Sequence, residues 1–392
     1  MASLQQIRFI SVLFLILAAC SARTPKVTPA PTPTSIITAE WTEESVTFPF
    51  GSNKLSGALT LPNNPGPFPA IVLISGSAEL YTGLRLGIDD LYMKDQVEIM
   101  IKNGFAVLRY DPPGVGQSTG DSRSETFEDR VQESMAALHY LQTRPDIHPD
   151  RVGLWGVSQG GWVIGMAAAE YPQDVAFLIS VSGSGVLIAE QQVWGVETQS
   201  RAAGLSESDV SKATLFARLL IDWQRPTPIY QAANQATAAQ LGDGPWQDFM
   251  KLVYEPGGIT PPESHQAGMK ILEAVQDEPW AEALYIKSVY LPALSRLTPE
   301  QWTDYVSHPG NFLTDPKNFL TKVTSPVLAF FGEDDQLVPA QKSAELFEQY
   351  LSQAGNKNFK IVVFPNADHG LKGAKYEYWK ILSEWLGGLF SG

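Results

Sequence analysis

The pentapeptide Gly156-Val157-Ser158-Gln159-Gly160 places a serine between two glycines, directly after a short apolar run. A serine hydroxyl is a weak nucleophile until a neighbouring base removes its proton. Where a strand meets a helix, the G-x-S-x-G spacing holds the serine on a tight turn, and the N–H groups of the helix point at developing negative charge. Ser158 is therefore a candidate nucleophile, and a plain glycine-shaped turn is the alternative.

Five histidines are available to act as the base. His369 differs from the others because it lies in the polar stretch PNADHGL, directly after the last apolar run of strand length. Catalytic groups gather at the carboxyl edge of open α/β sheets, where such loops lie. We therefore predict that His369 is the base, with a surface loop histidine as the alternative. The remaining four are expected to be surface or packing residues: His139, His148, His265 and His308.

A catalytic histidine needs a carboxylate that fixes its tautomer and stabilises its charged form. Glu333, Asp334 and Asp335 directly follow the apolar run PVLAFFG. On chemistry alone any of the three can supply this carboxylate. The other two then belong to a solvated acidic turn.

The candidate serine, histidine and carboxylate can act together only if the fold brings them to one edge of a sheet. Alternating polar and apolar residues around a Gly-Ser-Asn turn predict a β-hairpin over 45–62. Beyond it, apolar runs of strand length alternate with segments of helical periodicity, which indicates a mostly parallel sheet covered by helices on both faces. The predicted strands are 70–76, 105–111, 152–158 and 175–183, and the predicted helices are 92–103, 127–144 and 160–171.

The alternation stops after residue 184 and resumes near residue 322. We therefore predict an α/β core in two parts, 41–184 and 322–392, interrupted by a mainly helical insert, 185–321. The second part contains strands over 326–332 and 360–365 and helices over 340–353 and 375–389. Five of the ten tryptophans fall in the insert: Trp194, Trp223, Trp246, Trp280 and Trp302.

The order of serine, acid and histidine on this strand pattern resembles the α/β-hydrolase superfamily. The opening hairpin, RYDPPGVGQSTG and GVSQGGW are similar to bacterial esterases of the serine-aminopeptidase and dienelactone-hydrolase-like branches. The resemblance covers about 41–184 and 322–392. It implies an α/β-hydrolase fold with a helical lid inserted before the last two strands. It also selects Asp335, which stands three residues after Gly332 and three before Val338-Pro339.

The resemblance further implies a mechanism. Ser158, His369 and Asp335 would cleave a carboxylic ester through an acyl-enzyme, without a metal or an organic cofactor. The oxyanion hole would use the backbone N–H groups of Gln159 and Ser77, with Ala78 as the alternate donor. An aromatic-rich lid implies a small-molecule ester with an apolar acyl or aromatic group, whereas the plainer interpretation is that the tryptophans form the core of the insert.

Three other functions remain open on the same residues. The triad can serve a serine peptidase of the aminopeptidase or prolyl-oligopeptidase type. It can also serve a thioesterase or an acyltransferase. A catalytically silent binding protein is the third alternative, and the complete set of serine, acid and histidine argues against it.

The amino-acid composition and net charge limit the classes of partner that this protein is expected to bind. Apolar residues make up 44% of the 392-residue chain and charged residues 18%, as in a globular protein with a core. The net charge of −14 argues against binding to nucleic acid, whose backbone would repel the protein.

The first residues resemble a bacterial lipoprotein signal. An apolar stretch within 1–19 ends in Leu17-Ala18-Ala19-Cys20, which implies cleavage before Cys20 and lipid on its sulfur. The Pro/Thr-rich residues of 20–40 would then tether an extracytoplasmic domain to a membrane. The alternative is an ordinary secretory signal. Because Cys20 is the only cysteine, neither a disulfide nor a cysteine nucleophile is expected.

Overall fold

A computed structural model describes residues 41–77, 87–88, 90–122, 125–255, 263–307 and 314–390. The predicted signal peptide, Cys20, the tether and Ala78 lie outside these described residues. Among the helices of the described ranges, none has the length and apolar character needed to cross a membrane.

An eight-stranded sheet forms the centre of the fold, with the strand order β1-β2-β4-β3-β5-β6-β7-β8. The strands β1 and β2 form the opening hairpin, and β2 pairs antiparallel with β4. All other neighbouring strands are parallel, which confirms the mostly parallel sheet. The strands are β1 (Trp41–Phe50), β2 (Asn53–Pro62), β3 (Phe68–Ile74), β4 (Ala106–Tyr110), β5 (Ile147–Val157), β6 (Leu178–Val181), β7 (Val327–Gly332) and β8 (Phe359–Phe364).

Five helices cover the two faces of the sheet. They are α1 (Leu91–Lys102), α2 (Phe127–Gln142), α3 (Gln159–Glu170), α12 (Ala340–Gln353) and α13 (Lys375–Gly388). Successive side chains of a strand point to opposite faces, and β3 shows this directly. Its residues Val72 and Ile74 pack with α2, α3 and α12, whereas Ile71 and Leu73 pack with α1 and α13.

The segment between β6 and β7 is helical. Its α-helices are α4 (Ile188–Ala202), α5 (Glu207–Trp223), α6 (Gln231–Leu241), α7 (Trp246–Tyr254), α8 (Glu263–Val275), α9 (Leu291–Leu294), α10 (Pro299–Ser307) and α11 (Lys317–Leu320). A short 3₁₀ turn at Glu282–Leu284 and a π-helical turn at Ile286–Tyr290 lie between α8 and α9.

The insert, 185–321, has a hydrophobic core of its own, distinct from the two cores of the sheet. Four of its tryptophans are almost fully buried in that core, and only Trp194 is exposed, to 38%. These four tryptophans therefore form part of the core of the insert. They give no support to the prediction of a substrate with an apolar acyl or aromatic group, which stays a prediction. The four are Trp223, Trp246, Trp280 and Trp302.

Two strands, β5 and β6, differ most from their predicted bounds. The sequence predicts a strand over 152–158, but β5 begins at Ile147 because that residue pairs with Phe68 across a register irregularity. The sequence also predicts a strand over 175–183, but β6 contains only Leu178–Val181. Here the N–H of Val175 still donates to the carbonyl of Tyr171, so it belongs to the turn that ends α3.

Candidate active site

Ser158 occupies the junction between β5 and α3 with an unusual backbone conformation. Its φ of 54° and ψ of −120° lie in a region that L-residues rarely adopt. Close packing enforces this turn: a Cβ on Gly160 would lie 2.5 Å from the carbonyl oxygen of Ile74, and one on Gly156 would collide with the carbonyl of Gly160. Ser158 is the N-cap of α3, yet its side chain makes no capping hydrogen bond. Its hydroxyl is therefore not used to cap the start of the helix.

The two predicted oxyanion donors lie on segments that border Ser158. The carbonyl of Ser158 accepts the N–H of Gly161 at 2.9 Å, which fixes the peptide plane that also carries the N–H of Gln159. On the other side, a Cβ on Gly76 would lie only 3.5 Å from the Cβ of Ser158. The segment that carries Gly76 and Ser77 therefore passes beside the serine.

Asp335 and His369 are brought together at the carboxyl edge of the sheet. The Nδ1 atom of His369 lies 2.7 Å from Oδ2 of Asp335, whose side chain is fully buried. The other oxygen of this carboxylate accepts the backbone N–H groups of Leu337 at 2.7 Å and Val338 at 2.9 Å. Glu333 and Asp334, the other two acids of this loop, are exposed. The structure thus places one of the three carboxylates against the histidine.

The electrostatics of this pair favour the charged form of the histidine. Burial lowers the pKa of His369, but the negative charge of Asp335, its hydrogen bond and the charge of Asp368 together raise that pKa above the ordinary value. The side chain of His369 is still 23% exposed, so solvent reaches it. A histidine in this setting can accept a proton and hold it as a stabilised imidazolium.

Ser182 connects the loop after β6 to the histidine loop, and no motif in the sequence marks it as a site residue. Its hydroxyl donates to the backbone carbonyl of His369 at 2.8 Å, and its N–H donates to the carbonyl of Phe330 at 2.8 Å. Its φ of 51° is also positive. A polar residue directly after a buried strand, at the edge where His369 lies, is the signal that points to it.

The other histidines fall elsewhere. His139 is exposed and pairs with Asp174 at 3.2 Å. His265 is buried in the insert, where it stacks on Trp302 with ring centroids 5.1 Å apart. His148 lies in the first part of β5, and His308 lies outside the described residues.

This sheet topology, with a serine on a strained turn after the central strand β5, defines an α/β hydrolase. The chain belongs to the X-Pro dipeptidyl-peptidase family S15, whose family model matches residues 51–370. That range contains Ser158, Asp335 and His369. The chain is therefore a hydrolase of the α/β-hydrolase superfamily.

Two curated relatives illustrate the range of named activities. A bifunctional esterase/perhydrolase of Acinetobacter calcoaceticus is 25% identical over 286 residues, which is 70% of this chain and 79% of that protein. A thiohydrolase of Aspergillus aculeatus is 33% identical over 129 residues, 33% of this chain and 37% of that protein. The chain thus spans well under half of the thiohydrolase, and it spans 26% of the mouse mitochondrial acyl-coenzyme A thioesterase 2.

Solved structures show the same fold. DcsB, solved in complex with its substrate analogue, is 16% identical with a TM-score of 0.50, over 90% of this chain and 100% of that chain. At this identity the likeness concerns the fold alone.

Proposed function

We propose that the protein is a serine hydrolase that cleaves carboxylic esters through a covalent acyl-enzyme. Ser158 is the nucleophile, His369 the base, and Asp335 the carboxylate that orients the base. One observation carries the proposal: a buried carboxylate lies 2.7 Å from the imidazole of His369, at the sheet edge where Ser158 stands on its strained turn. A solvated loop histidine would have no need of a fully buried carboxylate.

The contact with Asp335 determines what His369 can do. If Nδ1–H donates to the carboxylate, the lone pair of Nε2 is free to accept a proton. His369 then takes the proton of the Ser158 hydroxyl while Oγ attacks the ester carbonyl. The carbonyl oxygen becomes an oxyanion, which accepts hydrogen bonds from the N–H groups of Gln159 and Ser77.

The tetrahedral intermediate collapses when the C–O bond to the alcohol breaks. His369 donates its proton to the leaving alkoxide, and the acyl group remains on Ser158. Water then attacks the acyl-enzyme and gives its proton to His369. The second intermediate releases the carboxylic acid, and Ser158 regains its proton, so that the enzyme returns to its starting state.

The choice of an ester over other acyl donors draws on the relatives. The esterase/perhydrolase aligns over most of both chains, and its name records an ester-cleaving activity. The acyl-coenzyme A thioesterase is named for thioester cleavage, which uses the same attack on an activated carbonyl, and the name of the thiohydrolase also records hydrolysis.

A second candidate is removal of X-Pro dipeptides, because the family model bears that name. The same three residues can attack an amide, but the reaction demands stronger protonation of the leaving amine. It also requires a group that binds the free amino terminus of the substrate.

Hydrolysis of p-nitrophenyl esters from acetate to palmitate, and of an X-Pro p-nitroanilide, tests both candidates on the full chain. We expect ester hydrolysis that Ser158→Ala lowers by at least about 10³-fold, since the loss of a triad nucleophile removes covalent catalysis. Ser211→Ala is the matched control, because its hydroxyl donates to the Glu207 carbonyl in the insert. Turnover of the anilide alone would favour the dipeptidase. Ester hydrolysis that persists in Ser158→Ala would overturn the serine mechanism.

A further inference from the structure

Arg130 is a buried arginine in the first turn of α2. Only 4% of the surface of Arg130 is exposed to solvent. A capping box fixes this turn, because the Thr126 hydroxyl accepts the N–H of Asp129 while the Asp129 carboxylate accepts the N–H of Thr126. The helix therefore presents the guanidinium in a fixed direction, away from solvent.

The guanidinium joins the two segments that border Ser158. Its Nη2 atom donates to the carbonyl of Ser75 at 2.6 Å and to the carbonyl of Gly76 at 3.1 Å. Its Nη1 atom donates to the side-chain oxygen of Gln159. One side chain thus ties the loop after β3 to the first residue of α3.

These contacts set the direction of a backbone N–H group. The carbonyl of Gly76 and the N–H of Ser77 belong to one planar trans peptide unit, so they point in opposite directions. When Arg130 holds the carbonyl on its own side, the N–H of Ser77 must point to the other side. The same logic applies to Gln159, whose N–H is opposed to the Ser158 carbonyl that Gly161 holds.

We propose that Arg130 is a positioning residue for the oxyanion hole, because it holds the donor segments at Ser77 and Gln159 in register with each other. This inference rests on the proposed function. In this role Arg130 bonds to the chain and not to the substrate. It acts through the peptide units that do.

An arginine suits this task better than a lysine. The planar guanidinium offers several N–H groups in a fixed fork and can reach acceptors on two segments at once. It also carries a positive charge, which polarises the bonded carbonyl and strengthens the N–H at the far end of the same peptide unit. An ammonium is a compact point charge on a flexible stem and cannot reproduce this geometry.

The test compares Arg130→Lys and Arg130→Met with the wild type on the best p-nitrophenyl ester. We expect kcat to fall about 10- to 100-fold with little change in KM, because a displaced donor weakens stabilisation of the transition state and not of the ground state. Binding of an alkyl boronic acid, which forms a tetrahedral adduct on the serine, should weaken by a similar factor.

Arg144→Lys is the matched control. Arg144 follows the other end of α2 and pairs with Asp146 at 2.7 Å and Glu44 at 2.6 Å. Thermal unfolding of each variant shows whether it is folded. If both Arg130 variants fail to fold, Gln159→Met provides the second test, since it removes one acceptor of the guanidinium and keeps the backbone N–H. A several-fold loss of kcat at constant KM is expected there.

The outcomes separate the inference from the proposed function. A kcat loss at constant KM, with weaker boronic acid binding and normal kinetics in Arg144→Lys, supports the positioning role. Wild-type kcat in folded Arg130 variants, or in Gln159→Met, overturns that role while the serine mechanism stands. If the wild type shows no Ser158-dependent hydrolysis of any ester, both the proposed function and the positioning role fail.

Discussion

The imidazole of His369 and the carboxylate of Asp335 meet at 2.7 Å, although they lie on different loops. The loops follow β8 and β7, which are parallel neighbours in the sheet. The backbone N–H groups of Leu337 and Val338 hold the second oxygen of the carboxylate, so its orientation is fixed before any substrate binds. In the proposed reaction, a carboxylate that is already oriented spares the cost of arranging charge at the moment of attack.

Replacing Asp335 with asparagine should lower kcat by about 10³- to 10⁴-fold, because the amide no longer enforces the tautomer that leaves Nε2 unprotonated. Steady-state ester hydrolysis measures this. Asp334→Asn is the matched control, since Asp334 is exposed on the same loop. A loss of less than tenfold in Asp335→Asn would show that another carboxylate orients His369.

The activity should depend on pH through His369. As the proposed base, His369 must be unprotonated to act, and the negative charges of Asp335 and Asp368 raise its pKa above the ordinary value of 6.5 in spite of its burial. The value of kcat/KM should therefore be low in acid and rise with pH through a midpoint above 6.5. The measurement is a pH profile from roughly pH 5 to 9. A flat profile, or a midpoint below 6.5, would contradict the role of His369 or the effect of Asp335 upon it.

Removing the Ser182 hydroxyl should loosen the histidine loop. Ser182→Ala loses the hydrogen bond to the His369 carbonyl, and we expect kcat to fall about three- to tenfold, as is typical when one neutral hydrogen bond of about 1 kcal/mol is lost. Ester kinetics with a thermal-unfolding control measure the effect. Ser211→Ala removes a comparable bond in the insert and should leave kcat unchanged. Equal kinetics in both variants would show that Ser182 has no part in holding His369.

Close packing at the serine turn makes Gly160 a stability determinant. In Gly160→Ala the new Cβ would lie 2.5 Å from the Ile74 carbonyl, and the unfolding free energy should fall by about 1–3 kcal/mol. Gly387→Ala in α13 is the comparison, because a Cβ there meets no atom within 4 Å. It should be neutral or stabilising by up to about 1 kcal/mol. Urea denaturation measures both, and an unchanged Gly160→Ala midpoint would mean that α3 shifts to accommodate the methyl group.

Much of the sheet could be predicted because parallel strands are buried on both faces. Runs such as 326–332 therefore lack alternation and stand out from the polar loops. The helix 340–353 is predicted with the bounds that the structure shows. The ends of β5 and β6 could not be placed, because Ile147 and Val175 owe their conformations to partners far away in sequence or to the end of a helix.

Residues of the candidate site could be predicted where a sequence motif fixes the local geometry. They were harder to predict where their position depends on contacts between segments distant in sequence. Ser158 and His369 follow apolar strands, so their position at one edge is readable. Chemistry alone left three acids open, and the resemblance selected Asp335. Arg130 had one signal, a charged residue between Phe127 and Val131 on the buried face of α2. Its acceptors lie 29 to 55 residues away in sequence, so no pattern along the helix reveals what it holds.

The separate core of the insert affects how this sequence can diverge. Most buried side chains of the insert, Trp223 and Trp302 among them, pack in its own core, whereas Ile188, Phe319 and Leu320 near its two ends pack into a core of the sheet. The effect of a substitution at Trp223 or Trp302 on packing therefore depends on the neighbouring helices of the insert and not on the strands that carry Ser158 and His369. Over evolutionary time the helices of the insert can therefore diverge independently of the strands that carry Ser158 and His369, because the two parts depend on separate cores.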